Sequence, residues 1–192
     1  MIQDTKRTGD KMSIPYENRS CRYMFPTGGD YYCHPDEMAI AKIYGGPLAP
    51  DLRGMVYFQN LPGGTWVTVN IAGLPPYRPA HGNVPPIGPH GFHLHQNGDC
   101  RIGDPANPFQ AAGEHWNPDQ QPHGNHAGDF PALFSNNGIA SMSFFTSKFK
   151  VADIIGRSVV IHQNPDDYRS QPAGNSGKRL ACGIIEDACK LP

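Results

Sequence analysis

Long apolar runs are missing from this chain. Nothing in it approaches the roughly 20 consecutive apolar residues of a membrane-spanning helix. Charge is scarce as well: charged residues make up 17% of the 192 positions, and the formal net charge is -1. With no basic stripe, a nucleic-acid partner is not expected. Residues 1–13 are polar and contain no apolar h-region, so no secretory signal is read there. The expected compartment is cytoplasmic; an exported form would already have lost its signal. A sustained helical period is absent too. The chain holds 22 glycines and 20 prolines, which leaves little room for long helices and suits short strands joined by long turns. Hydrophobic residues at 38% do not describe a disordered chain.

What is present reads as β-structure. Residues 1–35 are irregular and form an N-terminal extension; residues 36–192 form the main domain. Within it, residues 38–44, 54–60 and 65–71 read as strands, the last alternating apolar and polar side chains. A proline-rich loop covers 74–89. Gly91-Phe92-His93-Leu94-His95-Gln96 is a short strand whose period of two sends Phe92 and Leu94 to the core and both histidines to the opposite face. A loop without helical period runs from 97 to about 131, and loops of this length are usually functional or disordered. Residues 132–134 and 139–145 flank an Asn-Gly turn and read as a hairpin. Residues 158–162 and 180–185 complete about eight strands. The predicted fold class is all-β, an antiparallel sandwich or barrel.

Nine histidines are placed selectively. His93 and His95 share one strand face, and His162 ends another strand with the same orientation. His115, His123, His126 and Asp129 lie in the long loop. Each subset alone reads equally as polar residues on a solvated face. Imidazoles from two strands and one loop together point to metal ligation, which would offset the conformational entropy of ordering that loop.

The motifs Gly91-Phe92-His93-Leu94-His95, His115-Trp116-Asn117-Pro118, His123-Gly124, His126-Ala127-Gly128-Asp129 and Gly156-Arg157-Ser158-Val159-Val160-Ile161-His162 occur in that order. Asp166-Asp167 and Gly174-Asn175-Ser176-Gly177-Lys178-Arg179-Leu180-Ala181-Cys182-Gly183 follow. Over about residues 38–187 they resemble the copper/zinc superoxide dismutase family. The resemblance implies an eight-stranded Greek-key barrel with long metal-binding loops. It also implies an oxidoreductase that turns superoxide into dioxygen and hydrogen peroxide. Copper would be held by His93, His95, His115 and His162, and zinc by His115, His123, His126 and Asp129. The ring of His115 would bridge the two ions as an imidazolate and supply a proton. Four nitrogens suit copper, and mixed nitrogen and oxygen donors suit zinc. Asp166 would link a copper-side histidine to a zinc-side one, although alone it reads as a turn residue. Arg179 would guide the anion, although alone it reads as a solvated charge. Lys178 would add positive potential on the approach. Cys100 and Cys182 match the family's disulfide; two buried free thiols are the alternative.

Cys21, Cys33 and Cys189 fall outside that pattern, and their pairing is open. Two other features depart from the family's eukaryotic form. The stretch 163–178 is short and poorly charged, closer to bacterial members, and only Gly124 and Asn125 separate His123 from His126. A homodimer and a copper chaperone as partner are implied by the resemblance alone. The competing function is a non-enzymatic copper-binding or copper-chaperone protein on the same fold.

Overall fold

A computed structural model describes residues 37–84 and 87–190. The N-terminal extension, with Cys21 and Cys33, lies outside the described residues. Seven strands form one antiparallel sheet. They are β1 (Met38–Gly45), β2 (Arg53–Leu61), β3 (Gly64–Ala72), β4 (Phe92–His95), β5 (Ile139–Thr146), β6 (Ser158–His162) and β7 (Arg179–Asp187). Their order in space is β4-β6-β7-β1-β2-β3-β5. β1, β2 and β3 follow one another directly, and so do β6 and β7. The connections from β3 to β4 and from β4 to β5 cross to opposite edges of the sheet, in the Greek-key manner.

The expected eighth strand is reduced to single contacts. Leu133 bridges His90 next to β4, and Asn136 bridges Ile139 at the start of β5. The segment between them thus closes the gap between the two sheet edges. Asn137 and Gly138, with φ of 52° and 81°, make the tight turn that their sequence predicts. The long loops hold more local order than their sequence shows. Residues 110–112 form a 3-10 turn, and one helical turn, α1 (Val151–Ile154), precedes β6.

Alternation decides what is buried. In β3, Thr65, Val67, Val69 and Ile71 are buried while Trp66 and Asn70 are exposed. The same period brings Val56, Phe58, Phe92, Leu94, Val159, Ile161 and Leu133 into one core, each with no exposed surface. Burying one such side chain contributes about 1.5–3 kcal/mol. In β4 and β6 every residue is buried, on both faces. The histidine face predicted to point away from the core is therefore an interior of its own, roofed by the loops at 97–131 and 163–178. Phe109, Ala112, Val160 and Cys182 form a second small apolar cluster there, with Cys100 packed against it. The Cys100–Cys182 disulfide pins the first of these loops to β7.

Candidate metal centre

Strand pairing places the loop ligands. His95 bridges His115, and His93 bridges Asp129. The Leu94 amide donates to the Gly128 carbonyl at 2.9 Å, and the Trp116 amide to the Leu94 carbonyl at 2.8 Å. Two pieces of the long loop thus lie alongside β4 through backbone bonds alone.

Among the described residues two four-residue clusters result, each with potential ligand atoms within 4.8 Å of one another: His93, His95, His115 and His162, and His115, His123, His126 and Asp129; a third group, His93, Asp129 and Asp166, overlaps both. His115 belongs to both. All six histidines are buried. A register shift between Ile161 and His162 turns the last side chain of β6 into the first cluster.

The hydrogen bonds fix which ring nitrogens are free. His95 Nδ1 donates to the Gly113 carbonyl at 2.9 Å, and His162 Nδ1 to the Gly177 carbonyl at 3.4 Å. A neutral ring that donates from Nδ1 has a bare Nε2. The two Nε2 atoms face each other at 3.2 Å, so two lone pairs meet where a cation would relieve both. His93 Nε2 donates to Asp166 Oδ2 at 2.6 Å, and His123 Nε2 to Asp166 Oδ1 at 2.8 Å. That leaves the Nδ1 of each ring without a hydrogen-bond partner, as are His115 Nε2 and His126 Nδ1. An unsatisfied buried polar atom costs about 1–3 kcal/mol. A fold that collects such atoms around two points fits a pair of cations. All-nitrogen donors on one side suit copper; nitrogen with a carboxylate on the other suits zinc.

Burial holds the rings of His93, His95, His126 and His162 neutral, and hence able to ligate. It lowers His93 to about 4, against smaller upward pulls from Asp166 and Asp129. His95 and His162 are pushed well below the usual histidine value by the same cause. For Asp129 burial acts upward, but the hydrogen bond from His115 and the nearby imidazoles outweigh it and hold the carboxyl down at about 2. Asp166 follows the same balance: desolvation raises it, and hydrogen bonds from His93 and His123 bring it below the ordinary range. The Asp129 oxygens lie 3.0 Å from His115 Nδ1, 3.3 Å from His123 Nδ1 and 3.4 Å from His126 Nδ1.

His115, His162 and Arg179 line one cleft of about 330 Å³, with Glu114, Gln171 and Asn175 on its walls. Arg179 is only 9% exposed. Its Nη1 donates to the Phe109 carbonyl and its Nη2 to the Gly113 carbonyl, each at 2.7 Å. Lys178 is exposed and is not among the cleft-lining residues. Three contributors escaped the sequence. The Gly113 carbonyl orients both His95 and Arg179, and a backbone oxygen has no side-chain signature. Phe109 sits at φ 62°, a left-handed position that no glycine or asparagine announced. Gln171 accepts the His123 amide at 2.9 Å, from a stretch that read only as a short loop.

Comparison with known proteins agrees with this geometry. The family model described as copper/zinc superoxide dismutase matches residues 52–185. A Cu-Zn superoxide dismutase of Deinococcus radiodurans is 35% identical over 152 residues, 70% of this chain and 78% of that one. One from Legionella pneumophila is 35% identical over 154 residues, 76% of this chain and 85% of that one. The solved Cu/Zn superoxide dismutase of Brucella abortus superposes with a TM-score of 0.63 at 33% identity, covering 78% of this chain and all of its own. With the motifs in order, the sheet closed around them and two histidine clusters sharing one ring, the chain belongs to the copper/zinc superoxide dismutase family.

Proposed function

We propose that this chain dismutates superoxide: two superoxide anions and two protons become dioxygen and hydrogen peroxide. The observation that carries the reading is His115, which belongs to both clusters, its Nδ1 beside Asp129 and its Nε2 buried without a hydrogen-bond partner. His93 Nδ1, His95 Nε2, His162 Nε2 and His115 Nε2 would hold copper. His115 Nδ1, His123 Nδ1, His126 Nδ1 and Asp129 would hold zinc. Bound copper supplies the one-electron chemistry, and zinc fixes the loop and the orientation of His115.

The remaining steps belong to the protein. Arg179 receives the anion. Two carbonyls occupy part of its guanidinium fork of five N–H groups, and the side chain lines the cleft. Those bonds hold the charge in place, so little reorganisation is needed when the anion arrives. His115 lines the cleft and carries an otherwise orphaned Nε2. That atom takes up a proton and passes it to the reduced oxygen anion. Asp166, bonded to both His93 and His123, fixes ring orientation on the two sides at once.

Site charge sets the field. Two divalent cations would be offset by Asp129, by a deprotonated His115 ring and by Asp166. The site stays cationic, and Arg179 extends that potential into the cleft, which favours entry of an anion. Retention of both full ligand sets and of the arginine separates this reading from a non-enzymatic copper carrier. A homodimer, and copper received from a chaperone, are part of the same proposal; sedimentation of the metallated protein tests the first.

Metal analysis of the purified protein combined with a superoxide assay is the direct test. Replacement of His162 by alanine is expected to abolish turnover while zinc content stays unchanged. Unaltered turnover in that variant would remove His162 from the reacting site.

A further inference from the structure

We propose that Tyr168 is a positioning residue that fixes Asp166 between His93 and His123. It does so by locking the 163–178 loop onto the loop that carries the zinc-side ligands. The proposal rests on the zinc reading of His123 given above.

The first sign is the backbone. Tyr168 sits at φ 54°, in the left-handed region that a bulky aromatic seldom enters. Such outliers persist where the surroundings over-determine them. At Tyr168 the surroundings are specific. Its amide donates to Asp166 Oδ1 at 2.7 Å, the same oxygen that receives His123 Nε2. Its hydroxyl accepts from the Ala132 amide at 2.8 Å and donates to the Phe130 carbonyl at 3.1 Å. Its own carbonyl packs on Gly124, where an added Cβ would lie 2.5 Å from that oxygen. One residue therefore touches the shared carboxylate and the loop backbone on both sides of His126 and Asp129.

The rest of the turn is built to hold that pose. The Asp167 carboxylate accepts the amides of Arg169 at 2.9 Å and Ser170 at 2.8 Å, the Ser170 hydroxyl at 2.6 Å and the Asn175 side chain at 3.0 Å. Gly174 packs so closely on the Asp166–His123 bond that a Cβ there would collide with Asp166 Oδ1 and His123 Nε2. Every one of these contacts is made by the chain itself. The carboxylate that couples the two clusters is thus held by the chain's own bonds, with Tyr168 as the fastening to the other loop.

The test uses the full-length Tyr168→Phe variant, which keeps the ring and removes the hydroxyl. Tyr44→Phe, an exposed tyrosine far along β1, serves as control. Two quantities are read: amide hydrogen exchange in the metal-free protein, and the rate at which zinc passes from the fully metallated protein to a chelator. The expected result is faster exchange at Ala132 and Tyr168, with the β2 and β3 amides unchanged. Zinc release should be about tenfold faster, the lower end of what outer-sphere partners of metal ligands contribute. The control should match the unaltered protein in both. Faster exchange with unchanged zinc release would overturn the positioning role, and so would an increase spread evenly over all strands. If the unaltered protein holds no zinc, the metal reading fails, while the exchange data still decide whether Tyr168 fastens the two loops.

Discussion

Charge at single residues controls how an anion meets this site. Glu114 is the only carboxylate residue among those described as lining the cleft, and it is exposed at the mouth that Arg179 serves. Its field raises Arg179, whose net shift is downward because burial dominates. A unit charge several ångströms from an incoming anion, in high dielectric, is worth a few tenths of a kcal/mol, and salt screens it within about 10 Å. Glu114→Gln is therefore expected to raise kcat/KM about twofold at low ionic strength and to leave it unchanged at high salt. Stopped-flow superoxide decay across a salt series checks this. A variant that is slower at low salt would show that Glu114 organises the cleft instead of opposing entry. The same scale explains what reading residues in order could reach. His93, His95, His115, His123, His126, Asp129, His162, Asp166 and Arg179 were legible because ligation and anion binding require particular side-chain types. Tyr168 was not: its contribution comes from an amide, a carbonyl and a left-handed φ, none of which its side-chain type announces.

Among the elements, the contrast lies between strands that declare themselves by period and one that does not. β1, β2, β3, β5 and β6 begin and end within one residue of where alternation puts them, because each has one face on the core. β7 extends two residues beyond its apolar stretch, as backbone pairing with β1 continues through Glu186 and the buried Asp187. Residues 132–134 carry an equally apolar pattern yet form no strand. Their pairing among the described residues is one bridge, Leu133 to His90, and no local period encodes a contact so distant. Leu133 bears the consequence. It has no exposed surface and accepts and donates with His90 at 2.8 Å in each direction. Leu133→Ala leaves a cavity where the sheet closes, and a loss of about 2–5 kcal/mol is expected. Urea unfolding of the metallated and metal-free forms measures it. A loss of only about 0.5 kcal/mol, the scale of an ordinary surface change, seen as a nearly unmoved midpoint, would mean that the closing segment contributes no core of its own.

For the molecule as a whole, collecting neutral imidazoles in an interior ties stability to pH. His90, His93, His95, His126 and His162 are all lowered from the usual 6.5, burial being the leading cause in each. The unfolded chain takes up a proton on each near that value, whereas the folded chain does so only at lower pH. Between the two, the unfolded state binds more protons, so stability rises with pH. The contribution is complete above pH 6.5 and is lost as pH falls through the folded values, about 4 for His93. For that ring alone the difference amounts to about 3 kcal/mol, against a total of about 5–15 kcal/mol for a typical domain. The metal-free protein is accordingly expected to lose a large part of its urea midpoint between pH 7.5 and pH 5. Zinc and copper bind the deprotonated rings, so reconstitution should carry the same loss to lower pH. Chemical unfolding followed by tryptophan fluorescence, with and without metals, reads both effects. A metal-free midpoint that stays flat from pH 7.5 to pH 5 would mean that these rings bind protons alike in the folded and unfolded chain, contrary to their burial.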